Sequence, residues 1–433
     1  MRITDVSAYQ IFDSRGNPTV EATVRLENGL TGTGLVPSGA STGRHEALEL
    51  RDGDPKRFLG RSVFKAVANV NGEIARAVVG RDVFDQVGLD EALIALDGTP
   101  NKARLGANAI LAVSLAAVQA AASARQQPLY EYLGQGKGTL LPLPEIQIFG
   151  GGKHAAGRID VQDFMIMAPT AQSYEETLEI TFNVYHQAAK VMKARGLLAG
   201  VADEGGYWPV FDTNEAVLST LVEAIEKAGY APGRDVAISL DIAASDLWRD
   251  GAYQLGLEKR RLTTEQMVGL MVDWCDKYPV LSIEDPVAED DWDGWALVTK
   301  TLGRRCQLIG DDLFTTNLGR IERGIAAGVS NAVLIKLNQI GTVTETLRAI
   351  ARTQAAGWLP VVSARSGETE DAFIAHLAVA TNAGQLKVGS FSRSERLVKW
   401  NEVLRIGREL GDRAGFLGGK IFERIGVPLP RGR

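Results

Sequence analysis

VLSIEDPVAEDDWDGWALVTKTLGRRCQLIGDD, Val280 to Asp312, holds one complete repeat of the pattern that decides the fold. It opens on the apolar run VLSIED, passes through a helix-compatible stretch, and returns to a second apolar run, CQLIGDD. A strand buried on both faces of a parallel sheet reads as a nearly continuous apolar run. Both runs obey that rule until their last residues, where Glu284, Asp285, Asp311 and Asp312 break it. Charge confined to the C-terminal ends of successive strands gathers on one side of a sheet.

Outward from this repeat the pattern continues in both directions. The strand-like runs are DVQDFMIM, LAGVADE, VAISLDIA, VLSIEDP, CQLIGDD, NAVLIKLNQ, LPVVSAR and QLKVGS. Most are separated by roughly 20 to 45 residues of helix-compatible sequence. Eight such runs in about 290 residues match the arithmetic of a (β/α)8 barrel. On pattern alone a doubly wound open sheet stays as the alternative. Upstream, ITDVSAYQIFDS, TVEATVRLENG and LTGTGLVPSG read as a three-strand meander with Gly and Asn turns. GANAILAVSLAAVQAAASA, Gly106 to Ala124, is apolar nearly all round, as a buried helix is. The organisation expected is therefore an α/β chain of two parts. Residues 1–133 form an α+β capping domain with a mobile lid loop at 36–43. GQGKGTLLPLP leads into a barrel over 134–433 that carries the active site.

Composition narrows the function classes. The chain has 433 residues, 45% hydrophobic and 23% charged, which is ordinary globular usage with ample core material. The net charge is −6 and there is no basic run, so no nucleic-acid partner is expected. No uninterrupted apolar stretch is long enough to span a bilayer, and MRITDVSAYQIFDSRG lacks the apolar segment of a signal peptide. Cys275 and Cys306 are the only cysteines and form no CxxC pair, which points to a reducing, cytoplasmic setting.

The chemistry follows from the charged strand ends. AISLD ends at Asp241, LSIED carries Glu284 and Asp285, and QLIGDD ends at Asp311 and Asp312. AVLIKLNQ carries Lys336, VVSAR ends at Arg365, QLK ends at Lys387, and LLAGVADE ends at Glu204. In a barrel these residues converge on the C-terminal mouth, where active sites lie. Any one acid alone would read as a helix cap; seven runs behaving alike do not. Asp241, Glu284 and Asp311 supply three hard oxygen donors, the set that suits octahedral Mg²⁺. Lysines 336 and 387 would then face a divalent cation, whose field disfavours the ammonium form and leaves a lysine able to act as a base. Arg365 offers a planar fork for phosphate or carboxylate. The loop VPSGASTG, Val36 to Gly43, suits a lid that brings hydroxyl and backbone groups to a phosphate or metal.

At these residues the chain resembles the enolase family. DSRGNPTVE, PSGASTG, EALELRDGD, GANAILAVSLA, DEGGY, DWDG, GDDLF, IKLNQIGT and RSGETED are similar to enolase signature segments, in the same order, over essentially the whole length. The resemblance implies an α+β cap, a modified barrel with one early antiparallel strand, Mg²⁺ as two ions, and a homodimer or higher homo-oligomer. It implies a small phosphorylated or phosphonylated three-carbon acid as substrate, with no membrane or nucleic-acid partner. By position, Asp241, Glu284 and Asp311 match the metal ligands, and Ser41 the lid serine that joins a second metal. Lys336 matches the base that removes the proton alpha to the carboxylate. Glu204 matches the acid that assists loss of hydroxide, with Asp163 beside it and His154 on a nearby loop. Lys387 matches the group that meets the substrate carboxylate. Arg365 and Ser366 match the phosphate-binding pair, and Gln162 stands in the same substrate-binding motif.

Four positions depart from the family pattern. Enolases read S-H-R-S-G-E-T where this chain reads SARSGET, with Ala364 at the histidine position. They read Q-E-F where this chain has Gln162, Asp163 and Phe164, a carboxylate one methylene shorter. Gly150 stands where an asparagine precedes the GG pair, and Trp208 where a small residue follows DEGGY. The metal ligands, base and carboxylate lysine are intact, whereas the surroundings of the leaving and phosphate groups have changed. The expectation is an Mg²⁺-dependent lyase giving an enolpyruvate product from 2-phosphoglycerate or a close analogue, specialised beyond glycolysis. Carboxyphosphonoenolpyruvate synthase of phosphinothricin-type phosphonate biosynthesis is a relative that departs in this sense. A glycolytic phosphopyruvate hydratase and a non-catalytic enolase-like binding protein are the alternatives.

Overall fold

The computed structural model describes residues 1–40 and 42–430. The strands Ile3–Phe12, Pro18–Leu26 and Thr31–Leu35 pair antiparallel in sequence order, forming the meander. Val20, Ala22, Val24 and Leu26 alternate onto one buried face. The helix Ala107–Ala124 lies against that face. A Cβ on Gly32 would collide with Ala116 O and Ala120 N, and one on Gly34 with Ala112 O. Only glycine lets strand and helix backbones approach this closely. By length and composition this helix could cross a membrane, but 83% of it is buried inside the protein.

The remainder closes into an eight-stranded barrel. In order the strands are Leu143–Gly150, Asp163–Met167, Ala237–Asp241, Val280–Glu284, Gln307–Gly310, Ala332–Ile335, Leu359–Ser363 and Gln385–Ser390. Asp163–Met167 runs antiparallel to both neighbours, and every other pairing is parallel. The open-sheet alternative is thereby excluded. Several outer helices begin at side-chain caps, among them Ser173, Thr342 and the reciprocal box of Thr263 with Gln266. Each such cap is worth about 1 kcal/mol.

Two strand assignments change. LAGVADE is no barrel strand. It is a loop bent at Gly200 (φ 117°) and Gly205 (φ 95°), so Glu204 reaches the mouth from a turn. The first barrel strand is instead Leu143–Gly150, LPEIQIFG. Pro144, Glu145 and Gln147 disguise it as a continuation of the linker, yet all eight of its residues are buried. Lys387 also sits inside its strand, which continues to Ser390.

The reversed strand matters for the site. Because it runs the other way, its first residue, not its last, lies at the mouth. Asp163 pairs in register with Asp241, the last residue of its neighbour.

Candidate active site

The barrel mouth holds a narrow, polar pocket. Its walls include His154, Gln162, Asp163, Glu204, Asp241, Lys336, Ala364, Arg365, Ser366 and Lys387, joined by Gly39 from the loop of the first domain. Residues named from eight separate places in the sequence thus meet in one cavity. Ser41 lies outside the described residues.

At the floor, Lys387 Nζ donates to Asp241 Oδ2 at 3.0 Å and Glu284 Oε2 at 2.7 Å, with Asp163 Oδ2 at 3.8 Å. Burial opposes charge on Lys387, but Asp241 and Glu284 outweigh it and hold its pKa well above the usual lysine value. Lys336 Nζ donates to Asp311 Oδ2 at 2.6 Å. Burial again opposes the charge, and Asp311 more than restores it, so the pKa is raised. Among the described residues the close partners of both lysines are carboxylates, which favour the ammonium form. Burial, then the charge of Asp241, pushes the Glu284 carboxyl far up. Asp241 is held low: burial works against its charge and Lys387 prevails.

Asp285 fixes the spacing of these strand ends. Its backbone is left-handed (φ 42°), a conformation unusual for a non-glycine residue. Its buried carboxylate accepts from Asp311 N at 2.9 Å and Asp312 N at 2.8 Å. Ligand atoms of Asp285, Asp311 and Asp312 lie within 4.8 Å of one another.

The residues fit the Mg²⁺ that the resemblance implies. Asp241, Glu284 and Asp311 offer oxygen only, the preference of a hard cation. Glu284 Oε1 is buried without a hydrogen-bond partner, an arrangement that costs free energy unless another group satisfies it.

The Arg365 side of the pocket is built by the first domain as much as by the barrel. Arg365 Nη1 donates to Glu46 Oε2 at 3.0 Å and Asn338 Oδ1 at 2.9 Å, and Nη2 to Glu46 Oε1 at 3.2 Å. Ser366 Oγ accepts from Ala40 N at 2.7 Å and from Arg15 Nη1 at 3.1 Å. Ser38 and Gly367 exchange two backbone hydrogen bonds. The loop at 36–40 therefore rests directly on the segment that carries Arg365 and Ser366. A Cβ on Gly39 would collide with the Arg365 guanidinium, so glycine is what permits this contact.

On the opposite wall His154, Asp163 and Glu204 form a second cluster, with ligand atoms within 4.8 Å. His154 Nδ1 lies 2.8 Å from Asp163 Oδ1, and Nε2 lies 3.7 Å from Glu204 Oε1. Burial disfavours the imidazolium, but Asp163 and then Glu204 lift its pKa to about 9. Gln162 Nε2 reaches Asp241 Oδ2 at 3.1 Å, while its Oε1 is buried and unpartnered. Ala364 is 6% exposed; its N–H donates to Lys387 O at 2.9 Å, so its methyl is fixed in the pocket wall. Trp208 is half-buried and its N–H donates to Gly200 O, in the loop before Glu204.

Several contributors escaped the sequence reading. Glu46 and Asn338 on Arg365, Gln339 on Asp311 (2.7 Å) and Gln147 on Asp163 are uncharged or lie in loops. Only Gln147 and Glu145 left a signal, as polar interruptions of what proves to be a buried strand.

Comparison with known proteins agrees with this arrangement. Residues 3–133 match the family model "Enolase, N-terminal domain", and residues 138–425 match "Enolase, C-terminal TIM barrel domain". The chain is 54% identical over 429 residues to Enolase 1 of Desulfitobacterium hafniense (strain Y51), covering 98% of each chain. With both domain models matched in order and the acidic, two-lysine mouth in place, the chain is a lyase that belongs to the enolase family.

Proposed function

We propose that this enzyme removes the α proton of 2-phosphoglycerate or a close phospho- or phosphono-analogue, releases an enolpyruvate product, and is specialised away from the ordinary hydratase. One observation carries the specialisation. The carboxylates and lysines expected on the cation and proton-abstracting side, Asp241, Glu284, Asp311, Lys336 and Lys387, are all present in the sequence, while Ala364 puts a methyl in the pocket wall beside Arg365 and Asp163 Oδ1 lies 2.8 Å from His154 Nδ1.

Asp241, Glu284 and Asp311 would hold Mg²⁺, with Ser41 joining a second ion. Bound there, magnesium supplies electrostatic stabilisation of the negative charge that develops on the substrate carboxylate. Lys336, as the neutral amine left once one ammonium proton has passed to solvent, takes the α proton. Lys387 and Gln162 orient the carboxylate from the pocket floor. Arg365 and Ser366 receive the phosphorus-bearing group, with Arg365 exchanging part of its Glu46 pairing for it. Glu204, with Asp163 and His154, moves protons at the departing group. The domain division at 133/134, a cytoplasmic location and a homo-oligomeric state are part of the same reading.

Carboxyphosphonoenolpyruvate synthase is the specialised activity that Ala364 favours, because the missing imidazole leaves volume for a carboxyphosphono group. The second reading, a plain phosphopyruvate hydratase, is favoured by the 54% identity to Enolase 1. The deciding experiment measures α-proton exchange and elimination of 2-phosphoglycerate with Mg²⁺. Exchange that outruns elimination supports the specialised enzyme. Elimination as fast as exchange supports the hydratase, and absence of both overturns the substrate assignment.

A further inference from the structure

Two of the departures, Gly150 and Asp163, touch a single buried side chain that has no assigned role. Gln147, on the strand Leu143–Gly150, is fully buried. Its Nε2 donates to Asp163 Oδ1, and its Oε1 accepts from Gly206 N at 2.8 Å. Gly206 lies two residues beyond Glu204 in the same turn. One amide therefore grips the shortened carboxylate with one end and the backbone of the Glu204 turn with the other. Its own backbone is pinned as well, because Ser390 Oγ donates to Gln147 O at 2.6 Å.

The surrounding glycines make room for this amide. A Cβ on Gly150 would lie 2.6 Å from Ala202 Cβ, with the Gln147 amide atoms at 3.3 and 3.4 Å. A Cβ on Gly206 would collide with Gln147 Oε1. Asp163 Oδ1 is shared between Gln147 and His154, whereas Oδ2 has no hydrogen-bond partner and stands 3.8 Å from Lys387 Nζ. The carboxylate is thus held by its back oxygen, away from the pocket floor.

We infer that Gln147 is a positioning residue that sets the depth of Asp163 and its spacing from Glu204, and so determines which departing group this site serves. The inference rests on the proposed elimination chemistry. A buried amide with both ends used loses hydrogen bonds when shortened, and a carboxylate so released moves by about 1 Å, enough to cost on the order of 10²-fold in rate.

The test is a double-mutant cycle of Gln147→Asn and Asp163→Glu in the full-length protein with Mg²⁺. It is read by thermal unfolding, by α-proton exchange of 2-phosphoglycerate, and by elimination. Gln147→Asn lowers elimination by about 10- to 100-fold and leaves exchange within about twofold, because the Lys336 side is untouched. Asp163→Glu alone lowers the unfolding temperature, since the longer chain meets the Gln147 amide. The double variant recovers both stability and elimination relative to that single change. Gln147→Met keeps the volume, loses both hydrogen bonds, and reproduces the elimination defect. Parallel loss of exchange and elimination, or additive effects throughout the cycle, overturns the inference. If the wild type neither exchanges nor eliminates, the substrate reading falls and the unfolding cycle decides for Gln147: coupling supports the grip, additivity removes it.

Discussion

Ala364→His replaces the methyl in the pocket wall with an imidazole, and its consequences are opposite in sign for two substrates. The Ala364 N–H is fixed to Lys387 O at 2.9 Å, and its carbonyl accepts from Ser363 Oγ at 2.9 Å. The backbone therefore has no reason to move, and the ring must project into the narrow pocket at the mouth. A positioned proton donor near a departing group is worth about 10²- to 10⁴-fold. Asp163 remains set back on His154, so the gain belongs at the lower end, about 10²-fold in elimination of 2-phosphoglycerate, or about 2.7 kcal/mol of barrier. For a bulkier phosphonate substrate the same ring occupies volume the substrate needs. Overpacking a filled site costs about 1–3 kcal/mol, a loss of roughly 5- to 150-fold. The assay follows enolpyruvate formation by ultraviolet absorbance, alongside loss of the α proton to deuterated solvent by NMR. Exchange stays near its wild-type rate, because Lys336 and its Asp311 partner are unchanged. Slower elimination of 2-phosphoglycerate in the variant, or wild-type elimination already as fast as exchange, would refute the reasoning.

Asp241→Ala removes one of three oxygen donors and leaves Lys387 with a single close carboxylate, so calorimetric titration should show Mg²⁺ binding and turnover lost together; normal turnover contradicts the metal assignment. Lys336→Ala should stop solvent exchange of the α proton while Mg²⁺ still binds, and undiminished exchange would assign the proton to another residue. His154 has its folded pKa raised from 6.5 to about 9, so its stabilising charge is fully present below about pH 6.5 and is lost as pH rises through about 9. The unfolding midpoint should fall across that window, by a contribution on the order of 3 kcal/mol, and His154→Gln should flatten the slope. A wild-type midpoint independent of pH there would show that the imidazole is not held charged.

Much of the architecture was legible because it rests on local rules. Apolar runs marked seven of the eight barrel strands, most of them carrying a charged residue at or just past their C-terminal end, and the near-uniform apolarity of Ala107–Ala124 announced a helix buried on every side. LPEIQIFG escaped because three of its residues are polar or proline, although every one is buried. Its Gln147 is satisfied by Asp163 and Gly206, and its Glu145 by Ser239 Oγ at 2.8 Å, partners that only the closed barrel supplies. LAGVADE misled in the other direction, since a short apolar run before a carboxylate has the same appearance whether it pairs in a sheet or turns back at glycine.

The residue types of the site can be read without a structure: five carboxylates, two lysines, an arginine, a histidine, and the methyl at Ala364 where the family carries imidazole. Those are matters of chemistry, fixed by the side chain whatever surrounds it. Which group touches which was decided only by the tertiary structure. The antiparallel strand brings Asp163 level with Asp241, the first domain sets Glu46 against Arg365, and Asp241, Glu284 and Asp311 close around the two lysines and favour their charged form. Protonation state and reach depend on distances of a few ångströms between residues as distant in the chain as Arg15 and Ser366, 351 positions apart, and no periodicity or motif encodes such distances.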